Sequence, residues 1–157
     1  GMFARIWCEK EFELHGLSPR WVQSSISVNR RKGTLRGMHY QVAPNQEVKL
    51  VRCTAGAIYD VIVDLRTTSP TYGQHVSLML TADNHRSLYI PEQFAHGFLT
   101  LQDNSEVSYQ ISEFYAPSSA RGIRWDDPLL HIEWPEPVVI VSQKDQLWPQ
   151  FNLNWVR

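Results

Sequence analysis

The sequence is short of several features that would place it in common functional classes. It has two cysteines in 157 residues, Cys8 and Cys53. They lie far apart and lack metal-ligand spacing, which argues against a disulfide framework or a cysteine-based zinc site. Both are read as buried free thiols in a reducing cytoplasm. No apolar run approaches the ~20 residues that a membrane-spanning helix needs, and nothing at the start resembles a signal peptide. Charge of one sign is missing as well. The net charge is −1, with no polybasic run, so neither nucleic acid nor a membrane surface is an expected partner. There is no internal repeat, low-complexity run or interdomain linker, and the chain is read as one domain, 1–157. At this length a domain buries roughly two-thirds of the surface its unfolded chain exposes.

Short alternating segments separated by turn residues take up most of the chain. After a short strand near the start and a helical turn around Glu9–Leu14 closed by Gly16, strands are expected over Trp21–Val28, Thr34–Gln41, Glu47–Thr54 and Ala57–Leu65. Gln74–Leu80, Ser87–Ile90, Gly97–Leu101 and Glu106–Ile111 follow, divided by stretches such as TADNH and QDNS. Many short strands at this spacing, with no long amphipathic helix, indicate an all-β sandwich or jelly roll. The last forty or so residues hold Trp125, Trp134, Trp148 and Trp155 among several prolines. They read as irregular wrapping, with the tryptophans covering a core or an interface.

Polar groups placed inside strands point to a pocket wall. GTLRGMHYQVAPNQEVKLVRC, from Gly33 to Cys53, sets Arg36, His39, Lys49 and Arg52 between apolar residues. Of the six histidines, His15, His75, His85 and His131 sit beside turns or in polar surroundings and read as surface or structural. His39 and His96, the latter in PEQFAHGF at a loop-to-strand junction, would point inward if the strands close into a jelly roll; the competing reading is two satisfied core histidines. Inward histidines first suggest a metal. Metal-binding cupins, jelly-roll barrels of this kind, use a His-x-His pair, then Glu, then a third His. Here the second position is Gln41, and Lys49 should face the same way as Glu47 and compete with a divalent ion. The other reading is metal-free acid/base chemistry beside a carbonyl, with a histidine as base and Lys49 or His96 holding the enolate oxygen. A tyrosine on the opposite face would return the proton, and Tyr40, Tyr59, Tyr72, Tyr89, Tyr109 and Tyr115 are all candidates.

Taken together, GTLRGMHYQ, EVKLVRC, GAIYDVIVDLR, SPTYG, IPEQFAHGF, EVSYQ and WDDPLLHIEWP, in order between Phe3 and Asp145, resemble the dTDP-4-dehydrorhamnose 3,5-epimerase family. That resemblance implies a cupin-type double-stranded β-helix with short helical segments near the termini, working as a homodimer in the cytoplasm. It implies a nucleotide-sugar substrate, no cofactor and no metal. It assigns His39 as the base, Asp145 (in VSQKD) as its partner, Tyr109 (in EVSYQ) as the acid on the opposite face, and Lys49 with His96 as enolate stabilisers. On the substrate side it implies Arg36 at the diphosphate, Tyr115 lining the sugar or nucleotide site, and Asp60 supporting His96. Gln23, where Gln23-Ser24-Ser25 stands for the family's Gln-Asp-Asn, and Glu47, beside Lys49, join this substrate set. The N-terminal segment reads as shorter than usual for the family and lacks the arginine of its Asp-x-Arg-Gly-Phe-Phe segment; Arg5 and Arg52 are candidate replacements. The implied activity is epimerisation of a dTDP-4-keto-6-deoxyhexose at carbon 3, carbon 5 or both. The alternative is a cupin that binds a sugar nucleotide without turning it over.

Overall fold

The structure, a computed structural model, describes residues 1–152. Trp155 lies outside the described residues. The chain forms α1 (Glu9–Leu14), β1 (Gln23–Asn29), β2 (Thr34–Gln41), β3 (Lys49–Ala55), β4 (Ala57–Asp64), β5 (His75–Thr81), β6 (Ser87–Ile90), β7 (Phe94–Thr100), β8 (Ser105–Ile111), β9 (Ala120–Gly122), β10 (Ile140–Val141) and α2 (Gln143–Gln146). One sheet runs β1-β8-β3-β6. The other runs β10-β2-β7-β4-β5, with β9 also paired to β2.

Each strand carries a two-residue alternation, so one face of each sheet turns inward. From the four-stranded sheet come Val51, Cys53, Ile90 and Val107; from the other come Ile58, Ile62, Leu80 and Phe98, and together they form the core between the sheets. The opposite face of β4 and β7, with Val61, Val63 and Ala95, is buried too, beneath Ile123, Leu130 and Phe151 of the C-terminal segment. Burial on both faces explains why AIYDVIVD is apolar almost throughout. Trp125 and Trp134 pack against this second cluster, as expected for cover.

Several boundaries differ from the sequence reading, for local reasons, and among the described residues no strand precedes α1. β1 starts at Gln23 rather than Trp21, because Trp21 turns to meet Phe12 of α1, ring centroids 6.1 Å apart. β7 begins at Phe94, so His96 sits within a strand and not at its junction; pairing with both β2 and β4 extends it. The C-terminal wrapping is not wholly irregular, since β9 and β10 add to β2. Cys53 is a buried free thiol, whereas Cys8, just before α1, is only half-buried.

Candidate functional site

A step of two residues along the inward faces passes from core to cavity. Lys49 precedes Val51 on β3, His96 precedes Phe98 on β7, and Tyr109 follows Val107 on β8. At that end of the sandwich the walls enclose a cavity of about 420 Å³, lined by His39, Lys49, Glu47, His96, Tyr109 and Arg36 among others. The inward histidines are therefore cavity residues, and Lys49 and Glu47 do face the same way, Nζ to Oε1 2.8 Å.

His39 owes its position to two facing glycines. A Cβ on Gly37 would come within 2.5 Å of the Gly97 Cα, and one on Gly97 within 2.5 Å of the Met38 Sδ. With φ at 130°, Gly37 also adopts backbone that side-chain-bearing residues rarely tolerate. Here β2 and β7 close together, and the register shifts between Arg36 and His39, leaving His39 opposite His96. A bulge of this kind re-aims a side chain.

Asp145 reaches the same place from 106 residues away. Ile140 and Val141 pair in parallel with Thr34 and Leu35, which carries the next turn, α2, alongside β2. Ser142 caps that turn, its Oγ accepting from the Asp145 N–H at 3.0 Å. Asp145 Oδ1 then lies 2.6 Å from His39 Nε2, and the Gly37 N–H donates to Oδ2 at 3.4 Å. Burial alone would raise the Asp145 pKa. The hydrogen bond and charge of His39, with donors from Gly37 and Ser142, instead bring it below the ordinary carboxylate value. With Nε2 turned to Asp145, the imidazole has, among the described residues, Nδ1 left for a ligand.

Lys49 and Tyr109 belong to the sheet opposite His39, Tyr109 being paired with Val51 next to Lys49. Burial first, and then the charge of Asp60, push the Tyr109 hydroxyl pKa well up, so this tyrosine holds its proton firmly. Its ring stands edge-on to His96, centroids 6.0 Å apart. Lys49 Nζ reaches Glu47 and, at 3.5 Å, the His39 carbonyl, which leaves one of its three donors over. His96 Nε2 meets Asp60 Oδ1 at 2.7 Å. Asp60 is fully buried and does not line the cavity, but it reaches the site through its hydrogen bond to His96; its Oδ2 has no partner among the described residues. No three His, Cys, Asp or Glu side chains among the described residues are grouped to hold a metal; His39, His96 and Glu47 are each engaged by a different partner.

Nearer the mouth, Arg36 Nε donates to Asn29 Oδ1 at 2.7 Å, and among the described residues its terminal nitrogens are left over. Gln23 Oε1 accepts from the Tyr115 N–H at 2.8 Å, tying β1 to the loop that carries Tyr115, and both residues line the cavity.

A sequence model described as dTDP-4-dehydrorhamnose 3,5-epimerase matches residues 1–152. The chain belongs to the dTDP-4-dehydrorhamnose 3,5-epimerase family. The enzyme of that name from Shigella flexneri is 44% identical over 146 residues, covering 92% of this chain and 80% of its own. The Bacillus anthracis epimerase, solved with TDP and pyrophosphate bound, superposes with a TM-score of 0.93 at 42% identity, over 96% of this chain and 86% of its own. The Legionella pneumophila enzyme, solved with dTDP-4-keto-L-rhamnose, gives a TM-score of 0.90 at 39% identity, over 100% of this chain and 82% of its own. These matches carry the jelly-roll assignment from expectation to finding.

Two details of this epimerase-family chain depart from the sequence reading. Neither Arg5 nor Arg52 lines the cavity: Arg5 pairs with Glu11 on the surface, and Arg52 lies on the outer face of the four-stranded sheet. Trp148, read as cover, is a cavity residue. An aromatic in a proline-rich tail carries no local sign of this, although its place three residues after Asp145 sets it beside the dyad.

Proposed function

We propose that the chain epimerises a dTDP-4-keto-6-deoxyhexose at carbon 3, carbon 5 or both, using acid/base groups from a single jelly-roll domain. His39 and Tyr109 lining one cavity from opposite sheets is the observation that carries this reading, because inversion needs a base on one face of the carbon and an acid on the other. His39 takes the proton beside the ketone through Nδ1. Asp145 holds the ring by Nε2 and stabilises the imidazolium that forms. The electron pair moves onto the ketone oxygen, where the remaining Lys49 donor and His96 stabilise the enolate. Tyr109 then delivers its proton to the opposite face of the same carbon, and solvent restores both groups, giving a proton to Tyr109 and taking the one His39 holds. The family relationship, with relatives solved around TDP and a dTDP-sugar, supports the nucleotide sugar as substrate. The terminal nitrogens of Arg36 suit its diphosphate, and Gln23 and Tyr115 the adjoining wall.

The same reading includes a homodimer in the cytoplasm. Phe3, Ile26 and Val28 are 99%, 65% and 55% exposed, an apolar load that supports a partner on the N-terminal side, and the two unpaired cysteines suit a reducing compartment. Light scattering is expected to give the mass of two chains.

Incubation with a dTDP-4-keto-6-deoxyhexose in D2O, read by proton NMR, tests the activity. Deuterium is expected at carbon 3, carbon 5 or both, and the sites labelled identify which carbons react. His39→Ala and Tyr109→Phe should each slow turnover by about 10²-fold or more. Absence of exchange with any such sugar would overturn the proposal.

A further inference from the structure

The Trp148 indole shares the carboxylate oxygen that faces His39. Its Nε1–H donates to Asp145 Oδ1 at 3.2 Å, while His39 Nε2 meets the same atom at 2.6 Å. The indole also stands edge-on to the His39 ring, centroids 6.3 Å apart and planes at 68°. It is seated on Gly122, the residue paired with His39 across β2 and β9, so closely that a Cβ there would lie 2.4 Å from the ring. Lys144 Nζ sits over the same ring, 5.3 Å from its centroid. The ring is thus gripped by backbone and by a cation, with its one donor aimed at the dyad.

From this arrangement we propose that Trp148 is a positioning residue of the reaction, fixing the Asp145 carboxylate against His39 by its indole N–H and closing one flank of the pair with its ring. This rests on the reading of His39 as the base. Without the indole, Oδ1 loses one of its two donors, so the carboxylate is held less firmly about its χ2 by His39, Ser142 and the long contact from Gly37, and the imidazole loses its wall. A general base must be held in line with the proton it removes, and small losses of alignment act on turnover rather than on binding.

Trp148→Phe keeps the ring and removes the donor. Gly122→Ala, at a position whose backbone admits alanine, keeps the donor but pushes the indole off its seat. Both are expected to lower kcat about tenfold, the size of a lost hydrogen bond to a charged group, with KM within about twofold because Trp148 acts on Asp145. A second readout does not depend on turnover. The proton in the short His39–Asp145 hydrogen bond should give a low-field NMR signal that is lost in Asp145→Asn, and in both Trp148→Phe and Gly122→Ala it should broaden or move. If both variants keep kcat and the low-field signal, the proposal is overturned; a change in KM alone also overturns it. A wild-type chain inactive toward every 4-keto sugar nucleotide would refute the proposed function, yet the NMR comparison would still decide whether Trp148 holds the dyad.

Discussion

Replacing Asp145 by asparagine leaves the shape of the site and removes one charge. The amide must put its NH2 where Oδ1 or Oδ2 was. At Oδ1 it would face two donors, His39 Nε2 and Trp148 Nε1; at Oδ2 it would face the Gly37 N–H in a long contact of 3.4 Å. The second orientation costs less, so the oxygen should still face His39 and the ring should keep its tautomer. What is lost is the attraction between a carboxylate and the imidazolium formed when His39 takes the proton. Two unit charges about 4 Å apart interact by about 4 kcal/mol at an effective dielectric constant near 20. The His39 side chain is 43% exposed, and solvent screening should cut that to about 2 kcal/mol. A range of about 2–4 kcal/mol corresponds to a fall in kcat of roughly 30- to 10³-fold. KM should change little, because the carboxylate is turned to His39. Initial rates of deuterium incorporation, with circular dichroism to establish folding, measure this. A folded Asp145→Asn protein with kcat within about threefold of wild type would refute the assigned role of Asp145.

Three further outcomes follow from the geometry. Gly97→Ala should force β2 and β7 apart, since its Cβ would meet the Met38 Sδ at 2.5 Å and the Arg36 carbonyl at 2.8 Å; a urea melt is expected to show a loss of about 1–3 kcal/mol, and an unchanged midpoint would contradict the close approach. Lys49→Met strands Glu47, whose side chain is 11% exposed, and should cost about 3 kcal/mol of stability; adding Glu47→Gln should recover most of that but none of the activity, because the enolate still lacks its cation. Asp64 differs in depending on acid: burial raises its pKa, but hydrogen bonds from Arg66, Ser69 and Thr71 outweigh this and hold it below the ordinary value. Its contribution is therefore complete above the unfolded carboxyl pKa, about 4, and is lost as pH falls through the lower folded value, so Asp64→Asn should flatten the loss of stability below about pH 4.

The β-sheets were legible because a half-buried strand imposes a two-residue period that local sequence must obey. Thr34–Gln41 and Ser87–Ile90 match the reading at both ends, and α1 does as well. Motif order was enough for the family and for the main acid/base candidates, and the spacing of Glu47 and Lys49 was enough to face them the same way. Other features depend on chain segments that meet only after folding. The closeness of Asp145 to His39 depends on a two-residue parallel pairing, Ile140–Val141 with Thr34–Leu35, too short to leave a periodic trace. Asp60 faces inward by alternation, but tertiary packing seals it behind His96 and away from the cavity. The aim of His39 follows from a register shift at Gly37, and a glycine in a strand does not by itself say which way the next side chain turns. Trp148 looked like any tail aromatic until the fold seated it on Gly122. Sequence alone determined eight of the ten strands among the described residues, the family and the candidate chemistry, since these follow from local pattern and motif order. Tertiary structure decided which side chains meet, because distances between residues a hundred positions apart are set by sheet pairing and packing.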